Sequence, residues 1–190
     1  MVKINKEVFN QIVNKYQLNI TVNDYIIEAL THSSYANEHN LKSNERLEFL
    51  GDAVLGLLVA RYLYDTFSNI PEGKLTKIRA TYVCEDANMQ YCKKIGIDKL
   101  ILLGNGEEIN GGRTRPAVLN DAFEAFIGAV YLSGGLEEVK KIVKDNILSN
   151  EYENIKYMQK ERENMRLFIF PQFVAIAEKT EDSGHVKIIV

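Results

Sequence analysis

The chain has 190 residues, with 23 Lys and Arg against 26 Asp and Glu and a formal net charge of −3. With 46% apolar and 26% charged residues it has the composition of a globular protein, which excludes disorder, collagen-like repeats and a disulfide scaffold. The mild acidity argues against a nucleic-acid partner, which usually calls for a basic protein, but net charge says nothing of where the acids sit.

The length suits one domain of ordinary size with a short appendage. From the N-terminus, apolar residues at three- and four-residue spacing predict helices over 5–17 (Val8, Phe9, Ile12, Val13, Tyr16) and 23–31 (Ile26, Ile27, Leu30), the second capped by Asn23 or Asp24. A polar loop, His39 to Ser43, precedes a long helix from about Asn44 to Phe67. Ser68-Asn69-Ile70-Pro71-Glu72-Gly73 breaks the pattern. Helices resume over about 74–86 and 86–95, and a glycine-rich loop covers 104–116. Two more helices are expected, from about 117 to 132 and from 136 to 148. The segment 151–166 is polar, and two strand-like runs, 172–179 and 185–190, flank a turn signal at Glu181-Asp182-Ser183-Gly184. The expected fold is mainly α with a short C-terminal tail of β-hairpin character, divided as 1–150 and 151–190.

Cys84 and Cys92 are too few for a disulfide framework and have no zinc-ligand neighbours, so they read as buried free thiols in a reducing setting. The start of the chain lacks a signal-peptide core, and no run reaches the roughly 18 apolar residues of a membrane span. A cytoplasmic protein without membrane attachment is expected.

Chemistry enters through the placement of four acids. Between Glu48 and Arg61 the single charged residue is Asp52, in a run that reads as apolar on almost every face and therefore as deeply buried. Between Pro116 and Glu137 the charges are Asp121 and Glu124 alone. Buried carboxylates are costly unless paired, hydrogen-bonded or bound to metal. Glu48 and Asp52 are four apart, and Asp121 and Glu124 three apart, so each pair shares a helix face. If the two helices meet, four carboxylates converge with no cation in either run to neutralise them. Such an all-oxygen cluster suits Mg²⁺, with Mn²⁺ as a substitute. The plainer alternative makes each acid a cap or the partner of Arg46 or Arg79.

The stretch Asn44-Glu45-Arg46-Leu47-Glu48-Phe49-Leu50-Gly51-Asp52-Ala53-Val54-Leu55 resembles the signature of the ribonuclease III family. Four further segments agree in order: Leu30-Thr31-His32-Ser33-Ser34-Tyr35, Pro71 to Ala80, Gly111 to Pro116 and Asp121-Ala122-Phe123-Glu124-Ala125. The resemblance covers roughly residues 5–148. It implies an all-helical endonuclease domain that cuts double-stranded RNA in RNA processing, leaving 5′ phosphates and 3′ hydroxyls. By the same resemblance Glu48, Asp52, Asp121 and Glu124 are metal ligands, with Asp52 and Glu124 the acids most directly tied to catalysis. Glu45 and Glu72 match two secondary acids, and the protein is expected to be a homodimer, with Phe49, Leu50 and Leu58 contributing to its interface. A binding-only module with the same fold is the alternative function.

Candidate RNA contacts are Lys74, Lys77 and Arg79 after the Pro-Glu-Gly turn, the favoured pair Arg113 and Arg115, and Lys140, Lys141 and Lys144. Double-stranded RNA is read largely through phosphates and 2′-hydroxyls, so no base-specific side chain is required. His32 is expected to make structural hydrogen bonds. Residues 151–190 are expected to be a linker and a truncated or degenerate double-stranded-RNA-binding segment.

Overall fold

The computed structural model describes residues 4–148 and, beyond them, four strands of two or three residues between 169 and 188. The chain divides into two compact units, Met1–Ile147 and Leu148–Val190. Among the described residues of the first are nine α-helices: α1 (Lys6–Lys15), α2 (Asp24–Ala29), α3 (Ser33–His39), α4 (Glu45–Thr66), α5 (Glu72–Tyr82), α6 (Glu85–Ile95), α7 (Asn105–Ile109), α8 (Pro116–Gly134) and α9 (Leu136–Val143). A π-helical turn, Lys144–Leu148, follows α9 where a continuous helix was expected. The mainly helical reading holds.

Local chemistry sets the helix ends. Asn5 caps α1, its Oδ1 accepting from the amides of Glu7 and Val8 at 3.1 and 3.2 Å. Asn23, rather than Asp24, caps α2 by accepting from Ile26 N at 3.1 Å. Pro116 occupies the first turn of α8, where its missing N–H costs nothing.

Helix α8 is the axis of the unit. Every residue from Ala122 to Val130 is buried, and α2, α4, α6 and α9 all pack against it. Phe123 and Phe126 are fully buried, each contributing about 1.5–3 kcal/mol of transfer free energy. Its most extensive partner is α4, and the two backbones meet at glycines. A Cβ built on Gly51 would lie 1.7 Å from the carbonyl oxygen of Glu124, and one on Gly128 would lie 2.4 Å from that of Leu47. Only glycine permits so close a crossing.

Helix α4 departs from expectation. Leu47, Gly51, Val54, Leu55, Leu58, Val59 and Leu63 are buried, but Phe49, Leu57 and Tyr64 are 81%, 59% and 74% exposed, and Asp52 and Ala53 are exposed too. The helix is apolar on two faces, of which this chain covers one. Leu58 belongs to the core, not to a free surface.

Two helices escaped the sequence reading because they are short and polar. In α3, His32 Nδ1 accepts from Ser34 N at 3.2 Å and so caps the helix, a structural role as expected. In α7, lying inside the glycine-rich loop, the Asn105 amide donates to Glu38 Oε1 at 2.8 Å. A backbone bridge between Thr31 and Leu102 ties the same region together, with Leu102 N donating to Leu30 O at 2.7 Å. Cys92 is buried as expected, whereas Cys84 is exposed at the junction of α5 and α6.

In the second unit, Ile169–Phe170 pairs antiparallel with Phe173–Val174, and Ala177–Lys179 with Val186–Ile188. The second pair spans the expected turn at 181–184, in the register Ala177 opposite Ile188. The polar stretch 151–166 and residues 172, 175, 176, 185, 189 and 190 of the two expected strand runs lie outside the described residues.

The crossing makes a quantitative prediction. Gly51→Ala and Gly128→Ala should each cost about 3 kcal/mol or more in urea unfolding, the upper range for overpacking a close contact. Gly73→Ala, where an added Cβ meets nothing within 4 Å, should stay within about 0.5 kcal/mol of the parent protein.

Candidate active site

The α4–α8 crossing brings the four predicted acids into mutual range. Glu48 and Asp52 flank Gly51 on α4, and Glu124 is the α8 residue whose backbone meets that glycine. Asp121 follows one turn before it. Burial is graded across the cluster: Glu124 is only 7% exposed, Glu48 and Asp121 are half-buried, and Asp52 is exposed.

Electrostatics shows that the four sense one another. Burial, then the charges of Asp52, Glu48 and Asp121, push the Glu124 carboxyl from the ordinary 4.5 up to about 8. Glu48 is raised by burial and by Asp121, Glu45 and Asp52. Among the described residues none of the four carboxylates forms an ion pair, so neither Arg46 nor Arg79 neutralises them.

Carboxamides supply the compensation that cations do not. Asn88, on α6 and fully buried, donates from Nδ2 to Glu124 Oε1 at 2.8 Å and to Asn120 Oδ1 at 2.9 Å. Asn120 Nδ2 donates to Asp121 Oδ1 at 3.0 Å and, at 3.5 Å, to Glu124 Oε2. Sequence reasoning missed both residues. An asparagine has no charge to stand out in an apolar run, and the signal lay in its burial, which periodicity over 85–95 does not give.

The secondary acids are placed differently. Glu45 lies close enough to raise Glu48 and accepts from Ser43 Oγ at 2.7 Å. Glu72 opens α5, accepts from Thr76 Oγ1 at 2.9 Å and is not among the charges acting on Glu48 or Glu124. Five of the six acids, all but Glu72, thus appear in one set of mutual charge interactions.

The basic candidates also separate. Arg113 donates to Glu108 Oε2 at 2.6 Å and to the Asp98 carbonyl at 2.8 Å, and Arg115 pairs with Glu107 at 2.7 Å. Both arginines lock α7 to the loop before α8. Lys140 and Lys141 pair with Glu137 and Glu138. Lys74, Lys77 and Arg79 are exposed on α5 and form no ion pair among the described residues.

As a donor set the cluster is all oxygen, carboxylate with carboxamide beside it, and it fits a hard divalent cation rather than zinc. Positive charge held there would reverse each upward shift. Among the described residues no three of these side chains stand close enough around one point to hold an ion as placed.

The proteins it is similar to are consistent among themselves. Residues 23–151 match the family described as Ribonuclease-III-like. Over 134 residues the chain is 54% identical to Ribonuclease 3 of Staphylococcus aureus (strain JH9), an alignment covering 69% of this chain and 55% of that protein. The chain thus spans about half the length of the curated relatives it matches. The crystal structure of the nuclease domain of ribonuclease III from Campylobacter jejuni superposes with a TM-score of 0.67 at 38% identity, covering 74% of this chain and 94% of that one. A second structure of that domain, described for flexibility in a region involved in dimer formation, gives a TM-score of 0.68, also at 38% identity, over 75% of this chain and 97% of that one. Dicer from Pichia stipitis, at 24% identity and a TM-score of 0.54 over 90% of this chain and 82% of that one, shares the fold.

The raised carboxyls fix a pH signature. Glu124 takes up its proton more readily folded than unfolded, so without divalent cations stability is lost as the pH rises from 4.5 through about 8. Glu124→Gln removes that loss. In EDTA the variant should gain on the parent by on the order of 2–4 kcal/mol between acid and alkaline ends of the window, read from urea unfolding at each end.

Proposed function

The chain belongs to the ribonuclease-III-like family, and from that premise we propose that it is a metal-dependent endoribonuclease acting on double-stranded RNA. The observation that carries the reading is the convergence of Glu48, Asp52, Asp121 and Glu124 at the α4–α8 crossing, mutually repelling and unpaired with any cation among the described residues. Such an arrangement costs stability and is explained by what it binds.

The residues to hold the cation, Mg²⁺ or Mn²⁺, are these four acids. The chemistry that a bound divalent ion supplies is a lowered pKa for an attacking water and charge stabilisation at the leaving 3′ oxygen. The chain's own part is positional. Glu124 is held from below by the packing of α8 and from the side by Asn88, while Asp52 faces solvent on the α4 side. Hydrolysis at the 3′ oxygen leaves a 5′ phosphate and a 3′ hydroxyl. Glu45 extends the negative surface next to Glu48 without an assigned contact to the cation.

For the RNA itself, Lys74, Lys77 and Arg79 on α5 are the better candidates, because α5 packs on α4 and these side chains form no ion pair among the described residues. Arg113 and Arg115 are committed to Glu108 and Glu107.

The exposed apolar stripe of α4 supports a homodimer. Phe49, Ala53, Leu57 and Tyr64 recur every turn or two along one face, a pattern that suits a self-complementary two-fold contact. The C. jejuni nuclease domain is described as having a region involved in dimer formation.

Two experiments test these readings. A long RNA duplex incubated with the protein should be cut in Mg²⁺ and left intact in EDTA. Glu124→Gln should lower the rate by at least the roughly 100-fold that losing even an outer partner of a metal site reaches. Cleavage that survives EDTA refutes the mechanism, and duplex binding without cleavage points instead to a binding-only module. For the dimer, light scattering on a sizing column should give twice the chain mass for the parent and the single-chain mass for Phe49→Asp; equal masses would overturn the assignment of this face.

A further inference from the structure

Asn88 is an expensive residue where it stands. It is fully buried between α6 and α8, and its Oδ1 is buried with no hydrogen-bond partner. Its two neighbours at bonding distance, Glu124 Oε1 and Asn120 Oδ1, are both acceptors, so the amide nitrogen must face them and the carbonyl oxygen must face away. An unpartnered buried acceptor is a cost to folding.

The benefit lies in what the two N–H groups do. One holds Glu124 Oε1 at 2.8 Å and the other holds Asn120 Oδ1 at 2.9 Å. Asn120 is thereby oriented to donate to Asp121 Oδ1 at 3.0 Å and toward Glu124 Oε2 at 3.5 Å. A single carboxamide chain from α6 thus touches both acids of α8. Glu124 is the carboxylate pushed furthest by burial and by its neighbours and has no ion pair among the described residues to fix it. Without Asn88 only the long contact from Asn120 Nδ2 at 3.5 Å would oppose that repulsion.

We infer that Asn88, acting through Asn120, is a positioning residue that holds the Glu124 and Asp121 carboxylates in the orientation required of cation ligands. The inference rests on the proposed metal-dependent function and assigns it a support from outside the two acid-bearing helices. Outer partners of this kind orient ligands and tune affinity without touching the ion.

The test uses the full chain and Mn²⁺ alone as probe, with free Mn²⁺ followed by electron paramagnetic resonance. Asn88→Leu removes the unpartnered acceptor but also the donors to Glu124 Oε1 and Asn120 Oδ1, changes that oppose one another in stability, so its unfolding temperature is read only to show that the variant is folded. Its Mn²⁺ affinity should fall roughly 10- to 100-fold. Its cleavage of duplex RNA should recover as Mg²⁺ is raised, which a defect in packing alone would not do. Should Asn88→Leu fail to fold, Asn120→Ala, at the less buried end of the chain of amides, carries the same comparison with the same expected loss. Parental Mn²⁺ affinity in the folded Asn88 or Asn120 variant would overturn the inference while leaving the proposed function intact. Absence of Mn²⁺ uptake by the parent protein, or uptake undiminished in Glu124→Gln, would overturn both.

Discussion

Everything at the candidate site depends on two helices touching backbone to backbone. Gly51 of α4 lies against the carbonyl of Glu124, and Gly128 of α8 against that of Leu47. With ordinary side chains between them, helix axes stay 8–10 Å apart or so, and acids on neighbouring faces are held at side-chain reach from one another. Glycine removes that spacer. It also couples the core to the chemistry, because Gly51 lies within three positions of Glu48 and Asp52, and Gly128 lies four from Glu124 and seven from Asp121.

The same closeness creates a tension that the rest of the site manages. Four carboxylates without a cation repel, and the most buried of them, Glu124, is pushed furthest from its ordinary pKa. The unit tolerates this because α8 is buried without a break from Ala122 to Val130, which holds its backbone in place regardless of what Glu124 does. Neutral donors from Asn88 and Asn120 offset part of the charge without competing with a cation as a lysine would. The positive side chains near the loop before α8 are instead bound to Glu107 and Glu108, so they stabilise α7 rather than the cluster.

Much of this was legible in the sequence. Acids spaced three or four apart in otherwise apolar runs are conspicuous, since charge at such positions carries a cost that must be met. Helices α1 and α9 were readable from their periodicity, and α4 and α8 from long apolar runs bounded by turn residues. Helices α3 and α7 were not: both are short and polar, and they owe their form to long-range bonds, such as Glu38 to Asn105, that no local window contains. The two arginines of the glycine-rich loop are a related case. Their place in a motif gave no account of where they stand in space or with what they are paired.

The outer face of α4 marks the boundary between the two kinds of knowledge. From composition and spacing alone, the chain declared a mainly helical fold, its principal helices, and four carboxylates on two of them. Hydrophobicity and charge are properties of residue type and survive without coordinates. The tertiary structure decided that Phe49, Leu57 and Tyr64 face outward, that Asn88 reaches Glu124 from a third helix, and that Arg113 and Arg115 are already engaged. Those facts concern which surfaces meet, and an apolar residue reads alike whether its own chain covers it or leaves it bare.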